Sequence, residues 1–300
     1  MIETFDVELP TGIRLNYRSI GRSDAPLLVF LHGFPEGAFI WDQVMQALSS
    51  RYRCVAPDLR GYGESSAPAE VNAYRISLLA ADIDALAQHL QVPVAGLVAH
   101  DWGGAVAWAL AAQAPAWLQR LVIINSPHPA TFLRELQRNP AQQQASAYMN
   151  FLCRPDAEEL LAAKDFERMW PFFTRMGAID GNQPGAGWLT EQTRDDYRKY
   201  WERGLRGALN YYRASPLRPP TADDTQVMGV QLPPEMTWIP VPTLVLWAEA
   251  DAALPPALLD GLQDHVPDLR VVRIPQATHW VIHEQPQRVV SEIEGFVSAG

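Results

Sequence analysis

Up to residue 128, short apolar runs alternate with stretches whose apolar residues recur every three or four positions. The runs are "TFDVEL", "RLNYRSI", "PLLVFLHG", "RCVAPDL", "VAGLVAH" and "LQRLVIIN". Their Val, Ile and Leu content, with little polar alternation, predicts strands covered on both faces. Between them "IWDQVMQALSS", "SLLAADIDALAQHL" and "GAVAWALAAQ" predict helices, so the pattern is a βαβ series around a mostly parallel sheet. From about 129 to 235 the chain turns to polar, aromatic-studded helical segments, broken at "GNQPGAG" and by a Pro-rich stretch from Pro216 to Pro234. The alternation then resumes with "VPTLVLWAE", helix-like "PPALLDGLQDHV", "LRVVRIPQA" and a final helix "PQRVVSEIEGFVSA". This predicts an α/β fold in which a core of 1–128 and 236–300, with helices on both faces of the sheet, is interrupted by a helical cap at 129–235. In such a sheet, reactive groups gather at the carboxyl ends of the strands.

Composition narrows the function classes. With 300 residues and 48% hydrophobic content the chain is able to bury roughly three quarters of its unfolded surface, enough to enclose a pocket. A net charge of −10 with scattered Lys and Arg argues against a nucleic-acid partner. The N-terminus "MIETFDVELP" is acidic where a signal peptide needs a basic region, and no run approaches about 18 apolar residues, so no membrane insertion is expected. Cys54 and Cys153 are too few for a disulfide framework or a Cys-based zinc site, and they fit a reducing, cytoplasmic setting. Whether the chain forms a homodimer is open at this level.

The candidate chemistry begins at "VAHDWGGAVAW", residues 98 to 108. Ala99, Gly103 and Gly104 flank Asp101 with the spacing of a nucleophile elbow, in which small neighbours permit a strained turn that raises the reactive side chain above the sheet. A carboxylate is ionised near neutral pH and attacks carbon without a base to deprotonate it. A lone D-x-G-G is more often a helix N-cap; the partners decide otherwise. The α/β-hydrolase order of nucleophile, acid and His is supplied by Asp101, Asp251 after "TLVLWAE" and His279 after "RVVRIPQA". Glu249 competes with Asp251 but lies within its run, and Asn125 lacks the charge to orient a His. His32 reads as a brace for its loop, and His89, His100, His128 and His265 as packing, capping or surface residues. His279 and His283 lack the Glu of H-E-x-x-H, so no metal is expected. "HGFP", residues 32 to 35, closes a strand where this fold draws its second oxyanion-hole amide, which assigns the backbone N–H groups of Phe34 and Trp102. The sharp reversal there suits a cis Phe34-Pro35 bond.

With Asp101 in "HDWGG", "HGFPE" at 32 to 36, "PDLRGYGES" at 57 to 65, Asp251 in "WAEAD" and His279 in "THW", nearly the whole chain resembles the α/β-hydrolase-fold epoxide hydrolases. In that family two cap tyrosines hydrogen-bond the epoxide oxygen. Tyr148 in "YMNFLCRP" resembles the first and Tyr212 in "LNYYR" the second, with Tyr211 the adjacent contender. The resemblance implies a small apolar epoxide and water as reactants, an alkyl ester on Asp101, no cofactor, and substrate contacts from Phe34, Pro35, Trp102, His128 and Tyr211. The chain departs from the family pattern at Ala99, where Gly is common, and in the long Pro-rich stretch before Asp251.

One rival is a haloalkane or haloacid dehalogenase with the same Asp nucleophile. Haloalkane dehalogenases typically carry Asn after the His-Gly, and fluoroacetate dehalogenases Arg after the Asp; Phe34 and Trp102 stand in those places. No G-x-S-x-G occurs, which disfavours a serine esterase. The rival of another class is a non-catalytic receptor for a small molecule.

Overall fold

The computed structural model describes residues 1–178 and 187–298. The break expected at "GNQPGAG" therefore lies, apart from Gly187, outside the described residues. Among those residues one sheet is built from β1 (Glu3–Glu8), β2 (Arg14–Ile20), β3 (Leu27–Leu31), β4 (Arg53–Pro57), β5 (Val94–His100), β6 (Leu121–Ile124), β7 (Thr243–Ala248) and β8 (Leu269–Ile274). Their order is β1-β2-β4-β3-β5-β6-β7-β8. The β1–β2 and β2–β4 pairs are antiparallel and the others parallel, which is the α/β-hydrolase arrangement.

Every residue of β3, β6 and β7 is buried, as unbroken apolar runs in a covered sheet require. Alternate side chains serve opposite faces: Val29, Leu31, Val55, Leu97 and Ala99 join one core cluster, Leu28, Phe30, Cys54, Ala56 and Val98 the other. Each fully buried Leu, Val or Phe side chain contributes on the order of 1.5–3 kcal/mol. At the edge the pattern fails, because β8 exposes Arg270, Val271 and Arg273. Its charges discourage pairing with another sheet edge.

The crossovers are α1 (Asp42–Leu48), α2 (Ile76–Leu90) and α3 (Trp102–Ala112). Between β6 and β7 lie α4 (Pro129–Arg138), α5 (Pro140–Ala145), α6 (Tyr148–Leu152), α7 (Ala157–Phe166), α8 (Trp170–Arg175), α9 (Glu191–Trp201) and α10 (Arg206–Ala214). After β8 come α11 (Val281–Glu284) and α12 (Pro286–Val297). None of the described helices is long and apolar enough to cross a membrane.

One expected element is absent in its expected form. "PPALLDGLQDHV" makes two separate 3-10 turns, Pro256–Leu259 and Leu262–Asp264, instead of one helix. Gly261 between them takes φ 75°, a left-handed conformation that interrupts the helical path.

Candidate active site

β5 ends at His100 and α3 begins at Trp102, so Asp101 alone makes the turn, at φ 51° and ψ −123°. A non-glycine residue there is strained and persists only where its surroundings hold it. Ser126 Oγ donates to the Asp101 carbonyl at 2.7 Å. The small neighbours are obligatory by volume. A Cβ on Gly104 would strike the Ser126 side chain, and one on Gly33 would strike the Asp101 carboxylate.

The Asp101 carboxylate accepts hydrogen bonds from the backbone N–H of Phe34, at 2.7 Å to Oδ1, and from that of Trp102. Phe34 follows β3 and is joined to Pro35 by a cis peptide, as expected. The Trp102 amide belongs to the first turn of α3, where unpaired N–H groups and the helix dipole favour negative charge. The Asp101 Oδ2 atom is left facing His279 Nε2 at 3.8 Å.

His279 Nδ1 lies 2.6 Å from Asp251 Oδ2, and Asp251 Oδ1 accepts from the backbone N–H of Ala253 at 2.9 Å and Leu254 at 3.1 Å. The structure thus brings Asp101, Asp251 and His279 together from the carboxyl ends of β5, β7 and β8. Glu249 instead pairs with Arg273 at the surface. Burial disfavours an imidazolium, yet the charge and hydrogen bond of Asp251, aided by Asp101, lift His279 to about 9. Burial opposes ionisation of Asp251 too, but His279, Asn125 and the Ala253 N–H outweigh it and hold the carboxyl below its usual range. For Asp101 burial prevails, and its carboxyl sits above the ordinary value despite His279 and the two amides.

Tyr148 opens α6 and Tyr212 sits near the end of α10. Their rings meet edge to face at 6.2 Å, and the Tyr212 ring also meets that of Trp102 edge to face at 5.1 Å. Burial, with Asp101 nearby, raises both phenols, so they remain donors at neutral pH.

The structure departs from expectation at two lining residues. Tyr211 turns its hydroxyl away and donates to the Arg60 carbonyl at 2.8 Å, leaving only its ring against Trp102. Adjacent helical residues point about 100° apart, so the two side chains diverge although both rings pack on Trp102. His128 caps α4, accepting from Ala130 N–H at 3.3 Å, and packs between Trp108 and His265. It caps α4, as one of the two sequence readings had it.

Several residues that organise the site carried no role in the sequence reading. Asn125, set aside as uncharged, donates to Asp251 Oδ2 at 2.8 Å and so orients the acid. Glu36, buried just past Pro35, accepts from Tyr197 of α9 and lies 2.7 Å from His283 Nε2. Burial opposes its charge, but His283, His100 and Tyr197 keep its carboxyl below the usual range. His100 lies 4.0 Å from Glu36 and its Nε2 is 3.0 Å from the His279 carbonyl. The four-residue spacing of His279 and His283 was the available signal; the two rings serve different carboxylates. His32 braces its loop as expected, its Nε2 accepting from Leu59 N–H at 3.1 Å.

A family model described as alpha/beta hydrolase fold matches residues 26–286. Epoxide hydrolase 4 of Mus musculus is 32% identical over 96% of this chain and 77% of its own length. Epoxide hydrolase 3 of Xenopus tropicalis is 33% identical over 96% of this chain and 75% of its own. The Bacillus megaterium epoxide hydrolase, solved with an inhibitor, superimposes with a TM-score of 0.86 at 30% identity, covering 98% of this chain and 100% of that one. A structure described among novel epoxide hydrolases from metagenomes of hot environments reaches 0.87 at 38% identity, with 100% of both chains covered. The elbow, the Asp–His pair and these relatives together show that the chain belongs to the alpha/beta hydrolase family and, within it, to the epoxide hydrolases.

Proposed function

We propose that the protein converts an apolar epoxide and water into a vicinal diol through an alkyl ester on Asp101. The observation that carries this reading is the pair of phenols, Tyr148 and Tyr212, in contact with each other at a buried carboxylate whose Oδ1 is tied to Phe34 N–H at 2.7 Å. In the first step Asp101 Oδ2 attacks one ring carbon. The carbon–oxygen bond breaks, and the ring oxygen takes a proton from the tyrosine pair as its negative charge develops.

The ester then has Oδ1 as its carbonyl oxygen, already on the Phe34 and Trp102 amides. Alkylation removes the Asp101 charge, one of the influences that hold His279 protonated. Release of that proton restores the tyrosine pair and leaves a neutral imidazole. His279, oriented by Asp251, takes a proton from water as the water oxygen attacks the ester carbonyl, and the two amides stabilise the tetrahedral oxyanion. Collapse expels the diol oxygen, which accepts the proton from His279, and Asp101, left as the carboxylic acid, gives its proton to His279, which restores the starting pair. In this reading residues 129–235 act as a cap that carries both tyrosines over the core of 1–128 and 236–300.

A dehalogenase would need free N–H donors for a departing halide. Here two phenols, Tyr148 and Tyr212, face the carboxylate beside Trp102, and phenols suit an oxygen leaving group. The complete Asp101–Asp251–His279 set, with two donors facing it, disfavours a receptor.

Turnover of styrene oxide to its diol tests the reaction. Replacing both Tyr148 and Tyr212 with Phe is expected to slow single-turnover ring opening at least about a hundredfold, the scale of a lost general acid. Ring opening within a few-fold of the parent would place the acid elsewhere. Tyr211→Phe is expected to behave differently: it strands the buried Arg60 carbonyl, costing about 1–3 kcal/mol in chemical denaturation, while kcat/KM stays within about threefold. A large fall in kcat/KM with unchanged stability would give Tyr211 the role assigned to Tyr212.

A further inference from the structure

Four aromatic rings close a cycle at the candidate site. Phe34 meets Phe172 at 5.5 Å and 87°, Phe172 meets Tyr148 at 6.1 Å and 79°, Tyr148 meets Tyr212 at 6.2 Å and 77°, and Tyr212 returns to Phe34 at 5.4 Å and 87°. All four pairs are edge to face, the arrangement ring quadrupoles prefer. Neighbouring centroids this close leave no space inside the cycle for a substituent as large as another aromatic ring. A bulky substituent that enters among these rings therefore requires one member to yield.

Three members are held. Phe34 lies in the cis turn after β3 and its amide binds Asp101. Tyr148 and Tyr212 pack edge to face on each other, and Tyr212 also on Trp102. Phe172, contributed by α8 and half-buried like Tyr148, has no polar atom on its side chain. That helix is anchored by the next residue. The Phe173 ring stacks on Trp280 at 4.5 Å and 22°, and the Trp280 indole N–H donates to the Phe173 carbonyl at 3.0 Å. One step along a helix turns the side chain by about 100°, so α8 grips the core through Phe173 while presenting Phe172 to Phe34 and Tyr148.

We propose that Phe172 determines which epoxide substituent is accepted, an inference that rests on the epoxide reading above. Small alkyl epoxides are held against its ring. Aryl-bearing epoxides bind by displacing it and taking its edge-to-face contacts with Phe34 and Tyr148. The class admitted is thus a monosubstituted epoxide with an apolar arm, graded by the size of that arm. Phe172 is a specificity-determining residue in this scheme, and proton transfer and attack belong to the others.

The experiment compares phenyl glycidyl ether with 1,2-epoxypropane in the parent, Phe172→Ala, Phe172→Leu and Phe172→Trp. For Phe172→Ala the ratio of kcat/KM, large over small, is expected to rise at least about tenfold, the scale of a reshaped apolar pocket. The change should fall mainly on KM, with Phe172→Leu intermediate and Phe172→Trp reversed in sign. Equal loss of kcat on both substrates would make Phe172 a support for catalytic geometry and overturn the inference. An unmoved ratio in all three variants, in an active parent, would also overturn it while leaving the epoxide reading intact. A parent that opens neither epoxide would remove both.

Discussion

Asp101→Asn is expected to reduce turnover of any epoxide substrate by on the order of 10⁴-fold or more, because a neutral amide does not open the ring and no second carboxylate occupies its place. The fold should survive. Asn has the same volume, and its amide oxygen is able to accept the Phe34 N–H that Asp101 Oδ1 accepts at 2.7 Å. Stability has a definite sign. Burial holds the Asp101 carboxyl above its usual range, so ionising it favours the unfolded chain, and the native state loses stability as pH rises past the unfolded value. At neutral pH the Asn variant is therefore expected to unfold at the parent's denaturant midpoint or above it. Undiminished turnover in a freshly purified variant, with deamidation excluded by intact mass, would sink the elbow assignment.

His279→Gln separates the two half-reactions. It removes the base while leaving Asp101, Tyr148 and Tyr212 in place, so ring opening should proceed and ester hydrolysis should slow by about 10² to 10⁴. The covalent intermediate then accumulates, and mass identifies the chemistry. An epoxide adds its whole mass to the peptide containing Asp101, whereas a haloalkane adds its mass less that of the hydrogen halide. Labelling by halogenated compounds alone would move the protein to the dehalogenases. Failure of both classes to label the variant, with a parent that turns over neither, would favour the receptor.

Local pattern determined much of this molecule. The apolar runs at β3, β5, β6 and β7 could only be covered strands, because Val- and Leu-rich segments without polar alternation have no face to offer water. Small residues around Asp101 announced the strained turn, since the turn's own geometry excludes side chains at Gly103 and Gly104. The order of Asp101, Asp251 and His279 was legible because each follows its strand directly, and strand ends converge in a parallel sheet. The helix expected across 255–266 was misread: apolar spacing there outweighed Gly261, whose left-handed backbone divides it.

What only the tertiary structure decided depends on direction and on contacts distant in sequence. Only resemblance set Tyr212 above the adjacent Tyr211 in the sequence; the two are about 100° apart on α10, and packing turned the Tyr212 ring to Tyr148 and the Tyr211 hydroxyl to Arg60. His128 carries the same imidazole as His279, but the cap of α4 took it. Glu36 was visible within "HGFPE" yet silent, because its partners Tyr197 and His283 arrive from α9 and α11, 161 and 247 residues away. A buried charge needs such partners, and nothing short of the assembled core names them.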